Sequence, residues 1–294
     1  MRLVTFRHSR LDGARIGVVA GDEVVDLATA QPALPTEMSA LLAAGDAAHA
    51  AVRDAAASRA ALRVPLAEAA LEAPILRPPK FLALGLNYAD HVKEAGLQPP
   101  AFPVFFNKQS TCVTGPHGPI WMPRVSSALD YEGELGFVVG KRCRYVPRER
   151  AHEVIAGYLV VNDVTIRDWQ FKAPTWTLGK SFDTHGPIGP WIVTPDELGD
   201  PHALGLRTWV NGELRQDSNT KHFIFDCFAQ IEILSQAMTL EPGDVVTTGT
   251  PGGVGVAMKP PQFLKVGDRV RVEIEKLGAI ESEVVPEPAE IGYR

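Results

Sequence analysis

From residue 103 onward the chain is cut into short apolar runs by glycine and proline turns. The runs fall at Phe105-Phe106, 129–139, 157–162, 190–194, 206–211, 244–248 and 269–275. Proline cannot donate to a hydrogen-bond ladder and glycine weakens helix and strand interiors, so this punctuation leaves room for short strands and few helices. Helical spacing returns at Ile224, Phe228, Ile231 and Leu234-Ser235. The pattern predicts an α+β, mostly β architecture with a mixed sheet rather than a doubly wound one. Residues 1–28 read as short strands around Gly13 and Gly21-Asp22, and 37–62 as alanine-rich surface helices interrupted at Gly45. Leu76-Arg77-Pro78-Pro79-Lys80 breaks regular structure. We therefore expect a small N-terminal α/β domain over 1–74 and a β-rich domain over 75–294.

Within the β-rich part, Leu129-Asp130-Tyr131-Glu132-Gly133-Glu134-Leu135-Gly136-Phe137 reads as one apolar strand carrying Glu132 and Glu134 two residues apart. Side chains at i and i+2 of a strand share a face, so the carboxylates project side by side. Two options follow. Both acids stand in water on an edge strand, or both are buried and need positive charge between them. An all-oxygen pair favours Mg²⁺, Mn²⁺ or Ca²⁺ over zinc. Asp163 ends the apolar run Gly157-Tyr158-Leu159-Val160-Val161-Asn162 and shares a face with Leu159 and Val161. It either caps a turn or supplies a third inward oxygen ligand, leaving open positions as a Lewis-acid site requires.

Three further segments bear chemistry. His91 and Glu94 are three apart where Asn87 or Asp90 could cap a helix, so the carboxylate can orient the imidazole as a general base; a solvated first turn is the plainer alternative. Lys180, in Leu178-Gly179-Lys180-Ser181-Phe182, either steadies an oxyanion or substrate carboxylate or snorkels to the surface. Thr247-Thr248-Gly249-Thr250-Pro251-Gly252-Gly253 lacks the Gly-Lys-Ser/Thr ending of a P-loop. It suits a loop offering backbone N–H groups and the Thr250 hydroxyl to an anion, or a plain turn. Among the remaining histidines only His185, in Asp183-Thr184-His185-Gly186-Pro187, invites attention.

The formal charge of −6 argues against a nucleic-acid partner, which calls for a basic surface. No window approaches the roughly 18 uncharged apolar residues of a membrane span. The N-terminus lacks the apolar core of a signal peptide, and Cys112, Cys143 and Cys227 show no paired spacing. A reducing cytoplasm is the expected location.

Taken in order, Gly85-x-Asn87-Tyr88-x-x-His91-x-x-Glu94, Tyr131-Glu132-Gly133-Glu134-Leu135, Asn162-Asp163-Val164-Thr165-x-Arg167-Asp168-x-Gln170, Thr177-Leu178-Gly179-Lys180-Ser181-Phe182 and Thr248-Gly249-Thr250-Pro251-x-Gly253 resemble the fumarylacetoacetate hydrolase family. The resemblance also takes in Val210-Asn211-Gly212-Glu213 and Leu240-x-Pro242-Gly243-Asp244, and covers residues 75–285. It implies a mixed β-roll, a homodimer, and Mg²⁺ or Mn²⁺ bound by Glu132, Glu134 and Asp163. It further implies a water-activating His91–Glu94 dyad on a lid, with Lys180, Arg167, Gln170 and Thr250 around the substrate. The chain is shorter than full-length fumarylacetoacetases and resembles the bacterial, acylpyruvase-type members. Leu86 stands where acylpyruvases commonly carry arginine, which allows a bulkier or more apolar substrate. The activity implied is metal-dependent hydrolysis of a C–C bond in an acylpyruvate-type 2-oxo acid or 1,3-dicarbonyl, in the catabolism of aromatic or related compounds. Decarboxylation of an oxaloacetate-like acid and isomerisation of a 2-hydroxymuconate-type diacid need only the same stabilised enolate. A non-catalytic ligand-binding β-roll is a different class of answer.

Overall fold

The computed structural model describes every residue except Ala95, Leu97, Tyr293 and Arg294, and the side chains of His91 and Lys93 also lie outside the described set. A large sheet organises the molecule. Its path runs Arg63–Pro65, Glu23–Asp26, Arg15–Ala20, Arg2–Arg7, Gly186–Val193, Ile155–Asn162, Gly133–Val139, Val245–Thr247, Phe81–Gly85 and Val104–Lys108. Along this path neighbours are antiparallel, except where Val245–Thr247 runs parallel to Phe81–Gly85. A second, five-stranded sheet orders Glu213–Asn219, Gly205–Val210, Arg269–Ile274, Gly278–Pro286 and Ile120–Met122. The α+β, mostly β expectation is what the molecule adopts.

The central strands read as unbroken apolar runs because both of their faces are covered. Leu135, Phe137 and Val139 pack with Leu206, Val270, Val272 and Ile274 of the second sheet. Val138, Leu159 and Val161 point the other way, into a layer shared with Leu41, Leu42 and Val52 of the helices Met38–Ala43 and Gly45–Ala57. Gly133 lets the second sheet come close. A Cβ there would lie 2.2 Å from Thr208 Oγ1 and 3.0 Å from Val272 Cγ1. The strand Arg2–Arg7 pairs Leu3 with Ile192, so the N-terminal unit proposed for 1–74 shares this sheet with the rest of the chain.

The run 129–139 is not one strand, as expected, but two. Leu129–Asp130 pairs with Thr165–Ile166, and Gly133–Val139 pairs with Ile155–Asn162. Tyr131 and Glu132 form the crossover, where polar side chains replace the ladder. Asp130 Oδ1 accepts from the Tyr131 N–H (2.9 Å), and Asn162 Oδ1 accepts from the Glu132 N–H (3.1 Å). The register then extends one step beyond the strands: the Asp163 N–H donates to the Glu132 carbonyl at 2.8 Å. That step sets Asp163 against Glu132, at the end of the strand that carries Glu134.

Candidate metal centre and active site

Glu132, Glu134 and Asp163 are all buried, and each offers an oxygen within 4.8 Å of the others. Taking a carboxylate out of water costs several kcal/mol, so three together need compensation. Much of it comes from two buried lysines and a buried arginine. Lys180, on the short helix Thr177–Lys180, donates to Glu132 Oε2 and Asp163 Oδ2, both at 2.7 Å. Lys108, the last residue of Val104–Lys108, donates to Asp163 Oδ1 at 2.6 Å and closely to the Lys180 carbonyl. Arg167 donates through Nη1 to Glu132 Oε1 (2.6 Å) and Gln170 Oε1 (3.0 Å), and through Nε to Asp130 Oδ2 (2.8 Å).

These contacts set the proton affinities. Burial alone would lower the Lys180 ammonium, but the adjacent Asp163 and Glu132 carboxylates outweigh it and raise its pKa. Glu134 is pushed well above the ordinary carboxylate range, first by burial and then by the like charges of Asp163 and Glu132. Its Oε2 accepts from the Gly249 N–H at 2.7 Å and closely from the Thr247 hydroxyl. Counting Asp130, four buried carboxylates face three cations among the described residues, Lys108, Arg167 and Lys180. With all four ionised the excess is negative, and it converges on an all-oxygen donor set. This environment fits a hard divalent cation.

One donor points to a ligand more directly. Arg167 Nη2 is buried without a hydrogen-bond partner among the described residues, and Arg167 lines a cavity of about 550 Å³. An unsatisfied buried guanidinium N–H is costly unless something anionic meets it. Gln170 lines the same cavity. Its oxygen already faces Arg167, which leaves its NH₂ end as the one able to donate to a ligand.

The Gly-rich loop forms another side of the cavity and is tied down by three acids and one glutamine. Glu134 accepts from Gly249 (2.7 Å), and Asp130 from the N–H groups of Gly255 and Val256 (both 2.9 Å). Gln216 donates to the Thr250 hydroxyl (2.7 Å) and to the Pro251 carbonyl (2.9 Å). Glu94, at the end of the helix Ala89–Glu94, accepts from the Gly253 N–H at 3.0 and 3.1 Å. The Thr250 hydroxyl gives its proton to the Gly133 carbonyl (3.0 Å), so its position is fixed by the scaffold. Asn87, completely buried, bonds Phe225 and Thr248 and so pins the entry to that helix.

The structure thus gathers eight of the nine residues singled out from sequence: Glu132, Glu134, Asp163, Lys180, Arg167, Gln170, Thr250 and Glu94. The ninth, His91, belongs to the same helix as Glu94, but its side chain lies outside the described residues. His185 does not join them. It is fully buried, bonds the Trp121 carbonyl at 2.8 Å, and burial pushes its pKa down to about 3. Lys108, Asp130 and Gln216 carry no motif signal of their own. The one available hint for Lys108 is a lysine following Phe105-Phe106, the apolar setting that also marked Lys180.

Residues 80–285 match the model of the fumarylacetoacetate hydrolase C-terminal domain. The chain belongs to the fumarylacetoacetate hydrolase family. Over 289 residues it is 44% identical to oxaloacetate tautomerase fahd2, mitochondrial, of Xenopus laevis, covering 97% of this chain and 90% of that protein. Maleylpyruvate hydrolase from Sphingobium sp. SYK-6, solved with manganese(II) and pyruvate, superposes with a TM-score of 0.82 at 34% identity, covering 98% and 100% of the two chains. A 5-carboxymethyl-2-hydroxymuconate delta-isomerase from Mycobacterium smegmatis superposes at 0.78 and 34%, with the same coverage. These family members are enzymes of small organic acids, and their names span tautomerisation, hydrolysis and isomerisation. No helix among the described residues is long and apolar enough to cross a membrane.

Proposed function

We propose that the protein is a Mg²⁺- or Mn²⁺-dependent enzyme that enolises a small 2-oxo acid, with keto–enol tautomerisation of an oxaloacetate-like acid as its net reaction. The observation that carries this reading is the unpartnered buried Nη2 of Arg167 beside the acidic triad and Lys180. A carboxylate, an adjacent carbonyl oxygen and a hard cation would all find partners there. A divalent ion held by Glu132, Glu134 and Asp163 would supply Lewis acidity at the two substrate oxygens.

The remaining roles fall to side chains of the protein. Arg167 Nη2 and the Gln170 NH₂ receive the substrate carboxylate. Lys180 stays charged, because its neighbours raise its pKa, and so acts as a hydrogen-bond donor to the enolate oxygen rather than as the base. Proton transfer between carbon and oxygen then falls to Glu94, which lines the cavity, and to His91 of the same helix. Thr250 positions the loop that closes the cavity. The same dyad could deliver a water to a distal carbonyl, which makes C–C hydrolysis of an acylpyruvate the second reading; it is favoured by the Glu94 carboxylate lining the cavity. We assign the protein to the cytoplasm as a homodimer, the state implied by the family resemblance.

The test follows the enol absorbance of oxaloacetate and of acylpyruvates with Mn²⁺, Mg²⁺ and chelator. Faster metal-dependent enol–keto interconversion of oxaloacetate is the expected result. Turnover that is indifferent to metal, or none across the panel, overturns the proposal. Product analysis separates the readings, since C–C hydrolysis of an acylpyruvate releases pyruvate and a carboxylic acid, whereas tautomerisation leaves the carbon skeleton intact.

A further inference from the structure

Opposite the charged floor, the cavity wall is apolar. Leu84, Leu86, Phe106, Trp176, Val256 and Met258 line it, and among the described residues the charged groups away from the floor are Glu94 and the exposed Lys259. Two of the apolar residues are held in place at a cost. Leu86 has φ 58° and Trp176 has φ 60°, the left-handed region that large L-residues rarely occupy. Such strain persists where the surroundings impose it and tends to mark ligand-binding positions. Here the imposition is visible. The Trp176 ring lies so close to Gly85 that a Cβ on Gly85 would sit 2.3 Å from it. Trp176 also meets Phe106 edge-on, with centroids 5.5 Å apart, and Phe106 faces the Lys180 ammonium at 5.2 Å. The wall therefore begins where the charged floor ends. Phe171, 69% exposed, continues it to the rim.

The dimensions also exceed what a four-carbon diacid needs. A cavity of about 550 Å³ falls in the range that houses drug-sized ligands. A second carboxylate extended along Leu84, Leu86, Phe106 and Trp176 would lose its hydration against apolar side chains, the exposed Lys259 being the one cation beyond the floor among the described lining residues.

We infer that the site selects 2-oxo acids whose distal arm is an extended apolar group, an alkyl or aryl substituent lying along Leu86, Phe106, Trp176 and Met258. This rests on the 2-oxo acid reading above and narrows it: a short diacid fills the floor, and an apolar-tailed acid fills floor and wall. The wall would thereby set kcat/KM among substrates that share one head group.

The probes are N-alkyl oxamates, which carry the 2-oxo acid head but no enolisable carbon. Binding of N-methyl, N-butyl, N-hexyl and N-benzyl oxamate to the Mn²⁺-loaded full chain is measured by calorimetry. Each added methylene that reaches the wall should tighten binding by about fourfold, so the hexyl compound should bind at least about 50-fold tighter than the methyl compound. Leu86→Asn, which keeps a residue tolerant of positive φ, and the isosteric Met258→Gln should each flatten that gradient by about fivefold or more across the series. The gradient is the readout, because any loss of head-group binding cancels within it. Equal affinity along the series, or a gradient unchanged in both variants, overturns the apolar-arm inference alone. No binding by any oxamate in the presence of Mn²⁺ overturns the 2-oxo acid reading, and the arm falls with it.

Discussion

The floor and the wall of the cavity are built on opposite physical plans. On the floor, oxygens of Glu132, Asp163 and Glu134 are held by Lys108, Lys180, Arg167, Thr247 or a backbone N–H, and the residues are almost completely buried. The wall is made of large apolar side chains, two of them on strained backbone and one, Phe171, mostly exposed. A floor of this kind fixes charge and geometry and so belongs to chemistry that can be shared widely within a family. A wall of this kind fixes shape and leaves the chemistry alone. The relatives named above fit that division, since tautomerase, hydrolase and isomerase names attach to chains that align along almost their full length.

Breaking the floor should produce the largest effects. Lys180→Met removes the donor to Glu132 and Asp163 and, on the proposed mechanism, the group that meets the enolate oxygen. Loss of one such preorganised donor costs about 10²–10³ in kcat, read from metal-saturated steady-state rates. A variant that retains the native kcat would show that Lys180 is structural only. Lys108 is not among the residues lining the cavity, yet Lys108→Met strips Asp163 Oδ1 of its ion pair inside the core. Breaking a buried pair from one side costs about 3–5 kcal/mol, measurable as a lower denaturant midpoint. Because Asp163 would lose its orientation as well, Mn²⁺ affinity should fall by about 10–100-fold.

His185 tests whether buried charge chemistry outside the floor behaves independently of it. Its folded pKa of about 3 lies below the ordinary value of 6.5. The unfolded chain therefore binds a proton that the folded chain refuses. Stability attributable to this group is present above pH 6.5 and drains away as pH falls toward 3, by at most about 5 kcal/mol. His185→Gln should flatten the acid limb of a stability–pH curve while leaving Mn²⁺ affinity within twofold. An unchanged acid limb would mean that another group governs acid unfolding.

How far the sequence discloses this division depends on the range of the interactions. Glu132, Glu134 and Asp163 are legible because period-two spacing and an apolar context are local properties, and Lys180 because a lysine among apolar residues is anomalous. Lys108 and Asp130 are not. Each acquires meaning from a partner 55 or 37 residues away, Asp163 and Arg167 respectively. The break at Tyr131–Glu132 is hidden for the same reason, since apolar patterning continues across it and the Asn162 side chain that replaces the ladder lies 30 residues on. The sharing of one sheet by the N-terminal strands and the β-rich part is likewise a pairing across 189 positions, Leu3 with Ile192, which no local pattern encodes. The wall was announced by one residue alone, Leu86.

The smallest effect should come from the wall, and it decides whether the contrast holds. Leu86 is only partly buried, so replacing it forfeits modest apolar contact, while asparagine tolerates φ 58° better than leucine does. These two terms oppose each other, and Leu86→Asn should leave thermal stability within about 0.5 kcal/mol of native, as substitutions away from the core usually do. A melting curve displaced as far as that of Lys108→Met would make Leu86 a structural brace, and its left-handed backbone would then need no ligand to explain it. A coincident curve combined with a flattened oxamate gradient would leave specificity as the reason a leucine is held there. The strain would then be the cost of presenting an apolar surface to a substrate, separate from the forces that hold the floor together.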